Sequence, residues 1–292
     1  MTADGEVRVV DEDHDPDLFW AIRGGGGNFG VVTRFKYRLH PVPEAVGGML
    51  ILPATADTIA GFVAAAQAAP ESLSTIANVM PCPPMPFVPE SEHGKLVIFG
   101  LLCWAGPVDE GQAAMAPFRA LGTPIADMLR PISYPEMYPP EDPDYHPLAI
   151  ARTLFLDRFD RAVAATILEH LEASDAAMRV SQIRALGGAM ARVDPAATAF
   201  AHRDRPIMVT VASFYEGDHD QARREAWVTD LAAALHQRDG AYVNFLAEEG
   251  SERIRDAYPG RTWDRLVDAK RRYDPENLFH RNQNIPPDAA PR

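Results

Sequence analysis

The sequence predicts an α+β protein in which a largely antiparallel sheet carries helices on one face. Two observations lead there. Strand-like segments at Gly48 to Leu52, Leu73 to Met80, Lys95 to Trp104, Met178 to Ala185 and Ile207 to Tyr215 are interspersed with helical ones at Ala56 to Ala69, Val108 to Leu121, Arg161 to Ser174 and Gln221 to His236. The chain has 292 residues, 47% of them hydrophobic, enough to fill a sizeable core in one large or two smaller domains.

In chain order, residues 5–11 read as a short strand, and Asp17 to Ile22 as a short helix that Asp15-Pro16 opens. A glycine run follows, then Val31 to Leu39, an alternating strand with Val31, Thr33, Phe35, Tyr37 and Leu39 on one face. After Pro41-Val42-Pro43 the sheet-and-helix pattern begins. Residues 81–86 (Pro-Cys-Pro-Pro-Met-Pro) must form a loop, because proline removes ladder donors, and residues 131–147 are again proline-rich. Near the end, Ser251 to Tyr258 and Trp263 to Tyr273 read as helical. No repeat of solenoid period is present.

Composition narrows the function. The formal charge is -13 and the pI about 5.1, with no lysine and arginine cluster, so the footprint of a nucleic-acid or anionic-membrane partner is missing. Cys82 and Cys103 are too few for a zinc site or a disulfide framework, and none of the nine histidines falls in an HExxH spacing. Met1 to Glu6 has no basic segment followed by an apolar one, so the chain as written is expected in the cytoplasm, an expectation tied to that N-terminus.

The glycine run Arg23-Gly24-Gly25-Gly26-Gly27-Asn28-Phe29-Gly30 contains a G-x-G-x-x-G spacing. A dinucleotide fingerprint must follow a strand and open a helix, whereas this loop follows a helix and opens a strand, so a nicotinamide dehydrogenase is disfavoured. Two readings remain. Consecutive glycines let backbone N–H groups approach a phosphate or a ring edge, and they also permit a tight, crowded connection.

Tyr242 and Asn244 alternate onto one face of what reads as a short strand, offering a phenol beside an amide. With an ordinary pKa of about 10, a phenol acts as a base only where cations or hydrogen bonds stabilise the phenolate, and most tyrosines in such places are structural. Asn282, Gln283 and Asn284 form an amide-rich strand able to donate and accept together, or alternatively a polar surface tail. Gln182 and Arg184 share one strand face, which reads equally as a solvated edge. His202-Arg203 reads as a packing and salt-bridge corner, and Glu248-Glu249 as a solvated helix start.

Asp17-Leu18-Phe19-Trp20-Ala21-Ile22-Arg23, the glycines, and Asn28-Phe29-Gly30-Val31-Val32-Thr33 together resemble the segment closing the FAD-binding domain of flavoproteins with the vanillyl-alcohol-oxidase (PCMH-type) fold. The ending, from Tyr242-Val243-Asn244 through Asp274-Pro275-Glu276-Asn277-Leu278-Phe279 to Asn284-Ile285-Pro286, resembles the C-terminal signature of berberine-bridge-type enzymes. The resemblance implies the end of a second FAD subdomain over 1–44, a substrate-binding α+β domain over 45–240, and a C-terminal segment over 241–292 that returns to the cofactor. It implies FAD as cofactor, with Gly26, Gly27, Asn28, Gly30, Val31, Asn282 and Asn284 on its side.

It also implies oxidation of a hydroxyl or related C–H of a sugar or natural product, with O2 as acceptor and Tyr242 as base. Asn244 would orient substrate or flavin, Gln182 would face the substrate, and Arg184 would supply positive charge favouring the Tyr242 phenolate. In that family an N-terminal subdomain holds the FAD pyrophosphate and the residues that bond covalently to flavin, and the chain as written begins downstream of both. The expectation is weak FAD binding by the isolated chain, exposure of apolar surface on 7–10 and 31–39, and a possible homodimer. The competing expectation is a non-catalytic binding module.

Overall fold

The computed structural model describes residues 1–292 except 43, 139–142, 145, 248, 282 and 290–292. It divides into two compact units: residues 1–39, 189–205 and 239–292 form the first, and residues 40–188 and 206–238 the second. The strands are β1 (Ala45–Pro53), β2 (Leu73–Pro81), β3 (Leu96–Ala105), β4 (Ala126–Asp127), β5 (Arg130–Ile132), β6 (Leu148–Leu156), β7 (Arg179–Ala185) and β8 (Ile207–Tyr215). The helices are α1 (Pro16–Ile22), α2 (Ala56–Ala68), α3 (Val108–Arg119), α4 (Arg161–Ala173), α5 (Gly188–Arg192), α6 (Asp218–Ala234), α7 (Ser251–Ala257) and α8 (Arg261–Tyr273).

All eight strands lie in the second unit and form one sheet in the order β4-β1-β3-β2-β7-β8-β6, with β5 also on β1. Every pairing is antiparallel. The strand period of two sends Leu50, Leu102, Val79, Ile183, Val209 and Leu154 to one face, where Phe62, Phe118, Ile167 and Leu231 of α2, α3, α4 and α6 close over them in a single core. Local chemistry fixes where the helices start. Thr55 and Thr58 cap α2 reciprocally, and Asp160 accepts from the Ala162 and Val163 amides at the start of α4.

The first unit is built on α8. Its Trp263, Leu266, Val267 and Tyr273 recur at helical spacing and pack with Leu18, Trp20 and Ala21 of α1, and with Phe29, Tyr258 and Ile285, into a separate core.

The α+β architecture with helices on one face is as expected, and five of the strands and all of the longer helices lie within a few residues of the predicted segments. Three differences have physical causes. Residues 5–11 and 31–39 form no strand, because no strand is hydrogen-bonded to either segment among the described residues. Val7, Val9, Phe35, Tyr37 and Leu39 are largely exposed there. Strand β6 was not anticipated: Arg152 interrupts its apolar run, and only pairing with β8 over nine residues turns it into sheet.

Phe62 sits edge-on to Phe118 at a centroid separation of 4.9 Å, and is 1% exposed. A Phe62→Ala substitution is expected to destabilise the second unit by about 3–5 kcal/mol, read as a lowered denaturant midpoint with an unchanged slope.

Candidate functional site

The site grows from the glycine run in the first unit. After α1, the chain turns back with Gly24 at φ +127° and Gly26 at φ +70°, conformations that favour glycine. The run divides into two halves. A Cβ on Gly24 would meet the Phe200 nitrogen at 2.4 Å, and one on Gly25 the Ala21 oxygen at 2.4 Å, so these positions are glycine because the chain is crowded. A Cβ on Gly26 would find nothing closer than 3.5 Å, and one on Gly27 nothing within 4 Å. Gly26 and Gly27 line a cavity of about 1380 Å³ with Asn244, Arg253, Trp263 and Asn284.

Asn28 holds the loop to the C-terminal segment. Its side chain, 2% exposed, donates to the Gly25 and Gln283 carbonyls at 3.0 Å and accepts from the Ile285 amide at 2.9 Å. Beneath it lies Lys270 of α8, fully buried, whose Nζ donates to the Asn28 carbonyl at 2.9 Å, the Phe279 carbonyl at 2.7 Å and Asp274 Oδ2 at 2.5 Å. Asp274 also accepts from the Leu278 and Phe279 amides at 2.7 and 2.8 Å. Burial pushes its carboxyl upward, but the Lys270 ammonium and the two amides outweigh that and hold it below the usual carboxylate range.

Tyr242 and Asn244 do not lie on a strand. A 3-10 turn over Val243–Phe245 follows Tyr242, because the backbone closes on itself with no partner strand. The turn still brings the two side chains together, with Asn244 Nδ2 donating to the Tyr242 hydroxyl at 2.9 Å. The Tyr242 ring is half-buried against Phe200 and Phe245, with centroids at 5.3 and 5.4 Å, and Asn244 is the member of the pair that borders the cavity.

Across the cavity, the Asn284 Oδ1 is buried with no hydrogen-bond partner among the described residues. Residues 283 and 284 form no strand; Gln283 instead donates to the Leu246 carbonyl at 2.6 Å. Asn282 lies outside the described residues. Glu249 is not a solvated helix start: its side chain is 2% exposed and pairs with Arg253 at 3.2 Å, which also reaches Asp256 at 3.1 Å. Glu248 is outside the described residues.

Gly30 and Val31 do not line the cavity. A Cβ on Gly30 would meet the Met1 carbonyl at 2.4 Å, and the Val31 amide donates to that same carbonyl at 2.9 Å. Gln182 and Arg184 lie in the second unit, on the β7 face turned away from the helices, where burial holds the Arg184 guanidinium below its ordinary value. His202 is a packing corner, bonded through Nε2 to the Asp256 carbonyl at 3.0 Å, and Arg203 donates to Thr198 Oγ1 at 2.8 Å. Sequence reasoning missed Lys270 and Asp274. Their signal was present as charges four residues apart, on the face of α8 that carries Leu266 and Tyr273.

The family model described as "Berberine and berberine like" matches residues 241–286, the stretch containing Tyr242, Asn244, Lys270, Asp274 and Asn284. An FAD-linked oxidoreductase of Dictyostelium discoideum is 27% identical over 97% of this chain. Over 241–286 the chain is thus similar to the berberine-like family, and over nearly its whole length to FAD-linked oxidoreductases. It spans 61% of the length of that Dictyostelium relative. A crystal structure of 6-hydroxy-D-nicotine oxidase from Arthrobacter nicotinovorans overlays with a TM-score of 0.81 at 24% identity, covering 98% of this chain and 65% of that one. Xylooligosaccharide oxidase from Myceliophthora thermophila, solved with xylobiose, overlays with a TM-score of 0.76 at 22% identity, covering 99% and 65%. The chain therefore shares the fold of these oxidases.

In this chain the buried Lys270 and Asp274 pair sets a stability test. Lys270→Met leaves a buried carboxylate without its cation and is expected to cost about 3–5 kcal/mol at neutral pH, whereas replacing both charges together costs less. Because the folded-state pKa of Asp274 is depressed, the stability it contributes is present above its unfolded pKa and lost as pH falls through the folded one. In Lys270→Met the lone buried carboxyl is instead pushed above its unfolded value by desolvation, so its protonation relieves the penalty and the gap to wild type should narrow as unfolding is followed down from neutral pH toward about pH 4.

Proposed function

We propose that this chain supplies the substrate-side sheet and the catalytic base of an FAD-dependent oxidase acting on a hydroxyl, or a related C–H, of a sugar or natural product. One observation carries the reading: Asn244, bonded to the Tyr242 hydroxyl at 2.9 Å, borders a large cavity that the open backbone of Gly26 and Gly27 also lines. The family match over 241–286 supports it, as does the likeness to oxidases of a nicotine derivative and of xylooligosaccharides.

The residues fit a flavin. The buried Asn284 Oδ1 wants a donor, and a flavin imide N–H is one; the side-chain-free surface of Gly26 and Gly27 admits a flat ring or a phosphate without steric cost. Asn28 acts in this reading by fixing the loop, since its amide is already engaged by three backbone groups. Bound flavin supplies a hydride acceptor that dioxygen can reoxidise. The protein then has to orient the substrate and take its proton. Tyr242 takes the proton, with Asn244 holding the phenol oxygen in place. Gln182 and Arg184 orient the substrate from the sheet face turned away from the helices, one by its amide and the other by its charge.

The protein should be mixed with FAD, freed of excess, and examined for flavin absorbance. Weak retention of flavin is expected, and Gly27→Val should reduce it further without altering the melting temperature, because the added side chain meets cavity rather than protein. A colourless wild type would favour the alternative, a non-catalytic binding module. In protein that retains flavin, Tyr242→Phe should lower the rate of peroxide release by about 10²–10⁴-fold while leaving flavin content unchanged, and an unaltered rate would remove Tyr242 from the mechanism.

A further inference from the structure

Three buried side chains hold the glycine run from the protein side, each taking one of its carbonyls. Lys270 Nζ donates to the Asn28 carbonyl at 2.9 Å, and Asn28 Nδ2 to the Gly25 carbonyl at 3.0 Å. The third is Tyr258, whose hydroxyl donates to the Gly24 carbonyl at 3.2 Å. Tyr258 is 1% exposed and directly follows α7, whose Ser251, Arg253 and Arg255 line the cavity. It also packs against Trp263, another lining residue, with ring centroids 6.4 Å apart. One short segment thus forms a wall of the cavity and reaches behind its glycines.

Packing alone would be served by phenylalanine at position 258, because a hydroxyl costs free energy to bury unless it is bonded. Burial pushes the Tyr258 pKa above that of an ordinary phenol, so the hydroxyl keeps its proton and remains a donor. A Cβ on Gly26 would lie 3.7 Å from that hydroxyl and 3.5 Å from Asn28 Nδ2, so the two anchors meet on one side of Gly26. In a trans peptide the N–H points opposite its carbonyl. Tyr258 therefore fixes the peptide after Gly24, whose N–H turns to the Ala21 carbonyl at 2.8 Å, and Asn28 fixes the peptide after Gly25. With two successive peptide planes held, the Gly26 N–H is directed away from Asn28. Neither it nor the Gly27 N–H donates to a protein group among the described residues.

We infer that Tyr258 is a positioning residue for the cofactor: by holding the Gly24 carbonyl it keeps the Gly26 and Gly27 N–H groups presented to the cavity as a pair of donors for oxygen acceptors of FAD. This deepens the oxidase reading and rests on it for the identity of the cofactor. The acceptor is a carbonyl of the flavin ring or an oxygen of the pyrophosphate, since bare backbone donors suit both. Without the phenol the peptide after Gly24 is free to rotate. The donors that follow it then lose their fixed direction, although no residue lining the cavity has changed.

Flavin fluorescence titration of the whole chain, with FAD and with riboflavin, tests the assignment. Tyr258→Phe keeps the ring and removes the one bond, and it should weaken FAD binding by about five- to tenfold, the effect of roughly one hydrogen bond. Tyr273→Phe is the control, because it removes a hydroxyl from the same core that is bonded to Asp15 at 3.1 Å, outside the glycine run. It should lower the melting temperature comparably and leave FAD affinity unchanged. Weakening of riboflavin and FAD alike would place the acceptor on the ring, and weakening confined to FAD would place it on the pyrophosphate. FAD affinity equal in wild type and Tyr258→Phe, or reduced equally by both variants, would overturn the inference and leave the oxidase reading standing. Absence of FAD binding by the wild type would sink both.

Discussion

The first unit depends on the buried ammonium of Lys270. Its three N–H donors meet three acceptors, the Asn28 carbonyl, the Phe279 carbonyl and the Asp274 carboxylate, so the desolvated charge is compensated in full. These acceptors belong to the glycine loop, to the turn after α8, and to the end of α8 itself. One side chain thus joins residues nearly 250 positions apart. Because removing either charge strands the other, the node sets the register between loop and helix more rigidly than apolar contact would.

With that register fixed, the glycine run serves two ends. Gly24 and Gly25 let the loop press against Phe200 and α1, while Gly26 and Gly27 present bare backbone to the cavity. The Asn28 side chain then ties the loop to residues 283–285, which brings the buried oxygen of Asn284 to the same cavity. The alternatives that glycine composition leaves open, ligand approach or crowding, are divided between adjacent residues.

The second unit follows a plainer rule. One face of its sheet is covered by four helices and is mostly apolar, and the other carries a transverse line of amides and hydroxyls. The period of two that buries Ile183 and Val209 necessarily turns Gln182 and Thr210 the other way. Core formation and polar display are two consequences of one backbone geometry.

Much of this was legible in the sequence. Apolar periodicity placed the helices and five strands, Asp15-Pro16 opened α1, and the residues around the glycine run and the C-terminal segment carried the family resemblance. Each of these is a local property of consecutive residues. What periodicity could not supply was anything that depends on a distant partner. Residues 31–39 alternate like a strand yet pair with none among those described, and Tyr242 and Asn244 meet through a turn rather than a strand face. β6 exists because β8 lies beside it. The Lys270 node and the cross-strand row were also hidden, since their members lie up to about two hundred and fifty residues apart and acquire meaning only when loop closure or strand register brings their polar atoms within hydrogen-bonding reach.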